Sequence, residues 1–380
     1  MNVTEPPAGE PPGSCTDPSA GPVVLGALLT AVALVTVAGN LLTVLAFMTD
    51  RSLGAKPPTY FILSLSCADL LIGLAMPVRI GEAICRTWLF SQVMCQVHTF
   101  IIDIGVVVGF LSMSSIALDR YLLISREYPR YLALQTHRNA GRGIAAVWAV
   151  ALAIAVIEIA VWNGVDWPEA DGMVRRCYSP PRNHPAFALS VFVATFLVPI
   201  VLIVGLSLRF LVLLRRRLAR APSSGQARPQ GGASSQPGAS SSSSSQRETP
   251  MADVGDSKAS LSHESLGDGV DGTTRAAPAS PSTARRERMR RRYVRPAVIM
   301  ASLVAAFLVC TLPYMLYISL AIRLCPDCDD QRVRFHLTNV LFLNSCVNPF
   351  LYAATHPKIR AFHARVFRAT LGRLCRLRRS

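Results

Sequence analysis

The chain has 380 residues, of which 51% are hydrophobic and 16% charged, and its mean hydropathy is +0.35. That balance excludes a disordered chain, which needs low hydrophobicity and high charge, and it is too apolar for an ordinary soluble domain. The net charge of +16 points either to nucleic acid or to an anionic membrane face, and ten cysteines are too few for a disulfide scaffold.

A membrane-spanning helix needs about 20 predominantly apolar residues. Seven such stretches follow in order, at about 22–48, 58–80, 96–125, 143–163, 186–214, 296–322 and 335–355. Several are apolar on every side, as in GIAAVWAVALAIAVIEIAV over 143–161, which marks a lipid-immersed helix. None alternates in the manner of barrel strands. The expected fold class is an all-α membrane protein, a seven-transmembrane helix bundle. Residues 1–21 form an outer tail, 22–355 the bundle, 218–290 a long third inner loop, and 356–380 an inner amphipathic helix and tail.

Charge sets the direction. With connections assigned alternately to two sides, the N-terminal side holds eight basic residues: Arg79, Arg86, Arg175, Arg176, Arg182, Arg323, Arg332 and Arg334. The other 31 of the 39 lie on the opposite side, which is therefore cytoplasmic. The expected location is the plasma membrane, multi-pass, with an extracellular N-terminus. Topology and anionic inner-leaflet lipid account for the excess charge, so nucleic acid drops out as a partner. Residues 1–21 are polar and proline-rich, unlike a secretory signal, and Asn2-Val3-Thr4 is a glycosylation acceptor on the outer side. The 218–290 loop holds a serine run at 240–245 and almost no large apolar residue, and reads as disordered, with serines open to kinases or as a plain spacer.

Motifs recur along the stretches. Gly39-Asn40 lies in the first, Leu65-Ser66-Cys67-Ala68-Asp69 in the second, and Asp119-Arg120-Tyr121 ends the third. The fourth carries Trp148 and the fifth Pro199. The sixth carries Phe307 and Cys310-Thr311-Leu312-Pro313, and the seventh Asn344-Ser345 and Asn348-Pro349-Phe350-Leu351-Tyr352. In order and spacing these resemble the rhodopsin-like family of G-protein-coupled receptors over all seven stretches. The resemblance implies a heterotrimeric G protein as partner, with arrestin and receptor kinases, and a small-molecule ligand.

Read residue by residue, Asp69 is a carboxylate inside an apolar span, costly unless paired or hydrated, and Asn40, Asn344, Ser345 and Asn348 offer a polar cluster around it. No cofactor and no structural metal is expected. The resemblance implies a sodium-linked site at Asp69, although Gly109 stands where the family usually has a span-3 hydroxyl. It also makes Asp119, Arg120 and Tyr121 an activation switch. The usual acidic partner of Arg120 is replaced near Tyr293, and Ser207 stands where a tyrosine is usual. Pro313, Pro349 and Pro199 remove helix hydrogen bonds and make hinges. Thr311 replaces the usual toggle tryptophan, so Phe110, Pro199 and Phe307 carry more of the signal, with Tyr352 at the inner end.

The resemblance implies a bridge between Cys95 and Cys177. Cys325 and Cys328 would close a small ring in the third outer loop, whereas Cys67, Cys85, Cys310 and Cys346 read as packing thiols and Cys15 is left over. Cys375 follows a basic amphipathic stretch, 357–373, and is a palmitoylation candidate on a membrane-surface helix.

For the ligand, the run 60–77 resembles muscarinic and histamine receptors, and Tyr314 and Thr195 fit amine receptors. With Thr338 and Phe342 on the seventh stretch they form the candidate ligand set, expected to take a cationic amine. The family's amine-binding aspartate falls at Ile102, and Asp103 is one residue later, rotated by about 100° toward spans 4 and 5. Asp103 then pairs either with the ligand or with Arg175 or Arg176. Glu158 is a second acid on that side, and the two would share a proton or a cation. A nucleoside or lipid ligand, or signalling without ligand, remain as alternatives. A transporter would show internal repeats, which are absent, and no enzyme motif occurs.

Overall fold

A computed structural model describes residues 20–55, 57–85, 87–163, 177, 185–219, 293–323 and 330–377. Asn2, Arg175, Arg176, Cys325, Cys328 and the inner loop beyond residue 219 lie outside these. Every regular element among the described residues is helical. In chain order they are α1 (Ala20–Thr49), α2 (Arg51–Gly54), α3 (Tyr60–Cys85), α4 (Gln92–Ser125), α5 (Tyr128–Leu134) and α6 (His137–Asn163). Then follow α7 (Pro185–Phe192), α8 (Val198–Ala219), α9 (Arg295–Arg323), α10 (Gln331–Thr355) and α11 (Pro357–Leu377).

Six helical stretches are long and apolar enough to cross a membrane: α1, α3, α4, α6, α7 continued into α8, and α9. The seventh, α10, is 25 residues long but carries Arg332, Arg334, His336, Asn339, Asn344 and Asn348. It packs against α1, α3 and α9, and its Asn339, Ser345 and Asn348 are buried, so the polar groups face the bundle and not lipid. A spanning helix satisfies its own amides, and polar side chains find partners only among neighbouring helices.

The helices run past the apolar stretches where a polar cap lies beyond the hydrocarbon. Ser91 Oγ accepts from the Met94 amide and starts α4 four residues before the apolar run. Thr136 does the same for α6 through the Asn139 amide, and Asp330 for α10 through the Arg332 amide. Pro77, Pro313 and Pro349 sit inside α3, α9 and α10. The α7–α8 span is continuous through a π-helical turn, Val193–Leu197, just ahead of Pro199. A wider turn there accommodates the missing proline amide.

The core between α3, α4, α8, α9 and α10 contains Leu65, Phe110, Met113, Ile203, Leu303, Phe307 and Tyr352. Trp148 of α6 donates through Nε1 to Ser64 Oγ at 3.0 Å, and Ser64 meets Ser112 Oγ at 3.3 Å, so three helices share one polar contact. At the inner face α11 buries Ile359 and packs Phe362 on the core. Lys358 Nζ donates to Ser52 Oγ, and Thr43 meets His363 Nε2 at 3.4 Å. Cys375 is exposed at the far end of α11.

Gly105 holds α3 and α4 together: a Cβ there would lie 2.7 Å from Ile72 Cγ1 and 3.2 Å from the Ala68 carbonyl. Gly143 has its nearest neighbour, Phe61 Cζ, at 3.6 Å. Gly105→Val should therefore destabilise the bundle by about 1–3 kcal/mol, whereas Gly143→Ala should be tolerated. Thermal melting in detergent checks this, and equal melting of the two variants would contradict the packing.

Candidate functional site

The outer rim is fixed covalently. Cys95, at the start of α4, is bridged to Cys177, as the sequence led one to expect. Trp88, 2% exposed, packs on the bridge and donates through Nε1 to the Ser91 carbonyl, which locks the short connection between α3 and α4. The expectation for Cys85 is overturned. It is disulfide-bonded rather than a packing thiol, with its partner outside the described residues. Cys85 ends α3, and thiols at the oxidising face pair where thiols within the membrane do not. Cys67, Cys310 and Cys346 are free.

Below the rim, α4 carries Asp103 and α6 carries Glu158, and the two acids lie within electrostatic reach of each other. Asp103 Oδ2 is shielded from solvent and has no hydrogen-bond partner. Tyr314 of α9 lies within electrostatic reach of Asp103 and Glu158, and also of Arg79 and Arg334. Its ring stands 6.3 Å from Phe196.

The other expected ligand residues are used differently. Thr195, in the π turn, is buried and donates to the Val191 carbonyl at 2.8 Å. Thr338 donates to the Arg334 carbonyl at 2.8 Å, so both hydroxyl protons stay on their own helices. Phe342, 1% exposed, packs on Ala33, Ile72 and Met76. Arg79 was passed over because it was counted with the outer loops. It lies inside α3, with its guanidinium carbon 4.6 Å from the Phe335 ring centre. An ionisable group within a span was the signal that would have singled it out.

Deeper in the bundle, Asn348 Nδ2 donates to Asp69 Oδ2 at 2.8 Å, and Ser345 lines the same cavity as this carboxylate. Asn40 Nδ2 donates to the carbonyls of Ser345 (3.0 Å) and Thr36 (2.9 Å), which ties α1 to α10. A cavity of about 20 Å³ is lined by Asp69, Gly109, Phe307, Thr311, Asn344 and Ser345. It has room for about one water-sized group. Thr311 Oγ1 and Asn344 Oδ1 are buried there without hydrogen-bond partners. These oxygens suit a small hard cation, and Gly109 contributes none.

On the wall of this cavity, Phe110 stands edge-on to Phe196 at 5.0 Å and to Phe307 at 4.7 Å. The trio joins α4, the π turn and α9 beside buried Pro199. Edge-to-face rings hold such contacts at about 0.5–1.5 kcal/mol each. Thr311 is fully buried and Pro313 lies in the same helix, at the hinge.

At the inner end Arg120 Nε is 3.5 Å from Asp119 Oδ2. Asp119 Oδ1 accepts from Tyr131 Oη at 2.9 Å and from Gln135 Nε2 at 2.7 Å. Burial first, then the neighbouring Asp119 carboxylate, pushes the Tyr131 phenol up, so it remains a donor at physiological pH. The short α5 thus restrains the Asp119–Arg120 pair, a role that motif reading alone did not reveal. Arg217 Nη1 donates to Tyr293 Oη at 3.2 Å, so Tyr293 turns to α8. Ser207 Oγ meets Met300 Sδ at 3.8 Å, a weak tie between α8 and α9. Tyr352 is fully buried in the core, and its hydroxyl has no hydrogen-bond partner.

Residues 39–352 match the family model described as 7 transmembrane receptor (rhodopsin family). The chain is 30% identical over 214 residues to the alpha-2B adrenergic receptor of Echinops telfairi, covering 56% of this chain and 54% of that receptor. It is 27% identical over 370 residues to the human alpha-1D adrenergic receptor (95% and 58%). It is 26% identical over 359 residues to a probable G-protein coupled receptor, No18, of Amphibalanus amphitrite (91% and 90%). The chain thus spans just over half the length of the adrenergic relatives.

The Cys95–Cys177 bridge should be worth about 2–5 kcal/mol. Cys95→Ala and Cys177→Ala should each lower surface expression, and the double variant should be no worse than either single one. Flow cytometry on intact cells reads this, and additive losses would mean that the thiols act separately.

Proposed function

The chain belongs to the rhodopsin family of seven-transmembrane receptors, and we propose that it relays the binding of a small cationic amine to a heterotrimeric G protein. Its family is one of receptors, not enzymes, and its apolar helices make it a multi-pass membrane protein. In this reading it lies in the plasma membrane with the N-terminus outside, as the eight-to-31 split of basic residues supports. Arrestin and receptor kinases would act on the inner segments. Anionic lipid would meet the basic α11, with Cys375 as its acyl site.

One observation carries the reading: a single helix, α4, bears Asp103 near its outer end and Arg120 at its inner end. Seventeen residues at 1.5 Å each put them about 25 Å apart, on the two sides of the aromatic trio. A cation drawn to Asp103 would pull on α6 and α9 through Glu158 and Tyr314. Phe110 passes a shift of α4 directly to Phe307, and Pro313 lets the inner half of α9 swing. The ties to be broken at the inner side are weak, Ser207–Met300 and Arg217–Tyr293. Arg120 would then leave Asp119 and present its guanidinium to the G protein. The collapse of the Asp69 cavity, and any sodium ion held by Asp69, Ser345, Asn344 and Thr311, would be linked to this swing.

The adrenergic receptors among the relatives support an amine ligand, as does the Asp103 side chain with its unused oxygen. The nearby Glu158 supports a second reading, in which the acid pair is structural and the ligand is a neutral nucleoside or lipid.

Removing one partner of a desolvated ion pair weakens binding by about 2–5 kcal/mol, at least thirty-fold. Asp103→Asn keeps the shape and should reach the surface normally. It should lose at least thirty-fold in potency for the activating amine in a G-protein activation assay. Full potency in the variant would favour the second reading. Tags at the N-terminus and near Ser240 should be reached from opposite faces of intact cells, and staining of both by an impermeant antibody would contradict the orientation.

A further inference from the structure

We propose that residues 1–19, tethered by a disulfide between Cys15 and Cys85, lie across the outer cavity between α1, α3 and α10 and are its resident occupant. The proposal is independent of which ligand the receptor takes.

The cavity has a volume of about 450 Å³ and lies at the outer ends of three helices. Gly21 and Leu25 of α1, Glu82 and Ala83 of α3, and Arg332 and His336 of α10 line it. Cys85 is two residues beyond Ala83 and is disulfide-bonded. Cys67, Cys310, Cys346 and Cys375 are free and Cys95 is bonded to Cys177, so of the ten cysteines Cys15, Cys325 and Cys328 remain as partners. Cys325 and Cys328 are three residues apart and can close a ring on each other, which leaves Cys15 for Cys85 and no odd thiol at the oxidising face. In that pairing the two thiols give up two electrons and two protons to a disulfide-exchange oxidant of the secretory compartment, and one S–S bond forms.

The chain has the length for it. Gly26 lets α1 touch α3 at the level of Ile84, where a Cβ would lie 2.6 Å from Ile84 Cγ1. Ala20 stands six residues further out, about 9 Å along the helix axis. The five-residue link from Ala20 back to Cys15 reaches at most about 18 Å, which spans that rise and the roughly 8–10 Å between neighbouring helix axes. Asp17-Pro18-Ser19 are residues that favour a tight turn, so the link is suited to double back over the cavity. Charge complements this path. Residues 1–19 hold Glu5, Glu10 and Asp17 and no Lys or Arg, whereas Arg332 and His336 stand exposed on the α10 wall. Glu82 on the α3 wall has Arg79 one turn away in the same helix. Pro6, Pro7, Pro11 and Pro12 favour an extended chain, which lowers the entropy lost in laying it along a groove beside the Phe335 ring.

The test uses the full chain, expressed in cells and purified in detergent without reductant. Cleavage after arginine and lysine releases Cys15 in residues 1–51, Cys85 in 80–86, and Cys325 with Cys328 in 324–332. Mass spectrometry should find 1–51 joined to 80–86, and 324–332 alone and two hydrogens lighter than its reduced form. A join between 80–86 and 324–332, or a free Cys15 thiol, would overturn the bridge. Hydroxyl-radical footprinting of the same protein reads the docking. His336 and Phe335 should be labelled several-fold faster in a Cys15→Ser, Cys85→Ser double variant. The same should follow, with the bridge intact, when Glu5→Gln, Glu10→Gln and Asp17→Asn are combined, a change that leaves the bundle untouched. Faster labelling in either variant supports the docking. Unchanged labelling in both would mean that the cavity is open to a ligand from outside, and would overturn the tail as its occupant.

Discussion

Inside a bilayer no bulk water is at hand, so a polar group there is costly unless it finds a partner within the protein. The architecture of this chain follows from that constraint. Backbone groups are satisfied by making each span a helix. Side-chain groups are satisfied by turning them to the bundle axis, where Asp69 meets Asn348, Asn40 meets the Ser345 carbonyl, and Trp148 meets Ser64. The most polar of the long helices within the bundle, α10, is the one that supplies most of these partners. It crosses the bundle as a collector of hydrogen bonds where the others cross as apolar rods.

The same constraint sets how firmly each helix is held. Satisfied contacts such as Trp148–Ser64 hold α3, α4 and α6 as one block. The contacts that tie α9 and the residues just ahead of it to α8 and α4 are of another kind: a hydroxyl on a thioether, an arginine on a phenol, and edge-to-face rings. Each is worth little alone, and α9 carries Pro313 in the middle of its length. A helix with a hinge, held by weak contacts next to a rigid block, is the element that a small change at Asp103 or Tyr314 would bias. The Asp119–Arg120 pair at the other end of α4 is held in place by Tyr131 of the short α5 and by Gln135 just after it.

Apolar length and motif order made the bundle and its bridge legible before any coordinates. The spans, the Cys95–Cys177 pairing and the Phe110–Phe307 contact all occur where the sequence put them. What escaped has physical reasons. Helix ends at Ser91, Thr136 and Asp330 depend on single caps outside the apolar runs, so hydropathy alone stops short of them. Cys85 looked like a packing thiol because its oxidising surroundings are set by depth and not by neighbours in sequence. Arg79 was counted as a loop charge, since one arginine near a span end looks the same in sequence whether it points to solvent or over Phe335. The hydroxyls of Thr195 and Thr338 donate to carbonyls one turn back in the same helix, a bond that residue type alone does not announce.

The central claim is that outer-side binding releases Arg120 to act on a G protein. Guanine-nucleotide exchange on purified heterotrimeric G proteins, with the receptor reconstituted in vesicles, tests it most directly. The receptor should catalyse exchange that rises with its activating amine, and an Arg120→Ala variant at equal surface density should catalyse none. Equal exchange from the two proteins would contradict the account.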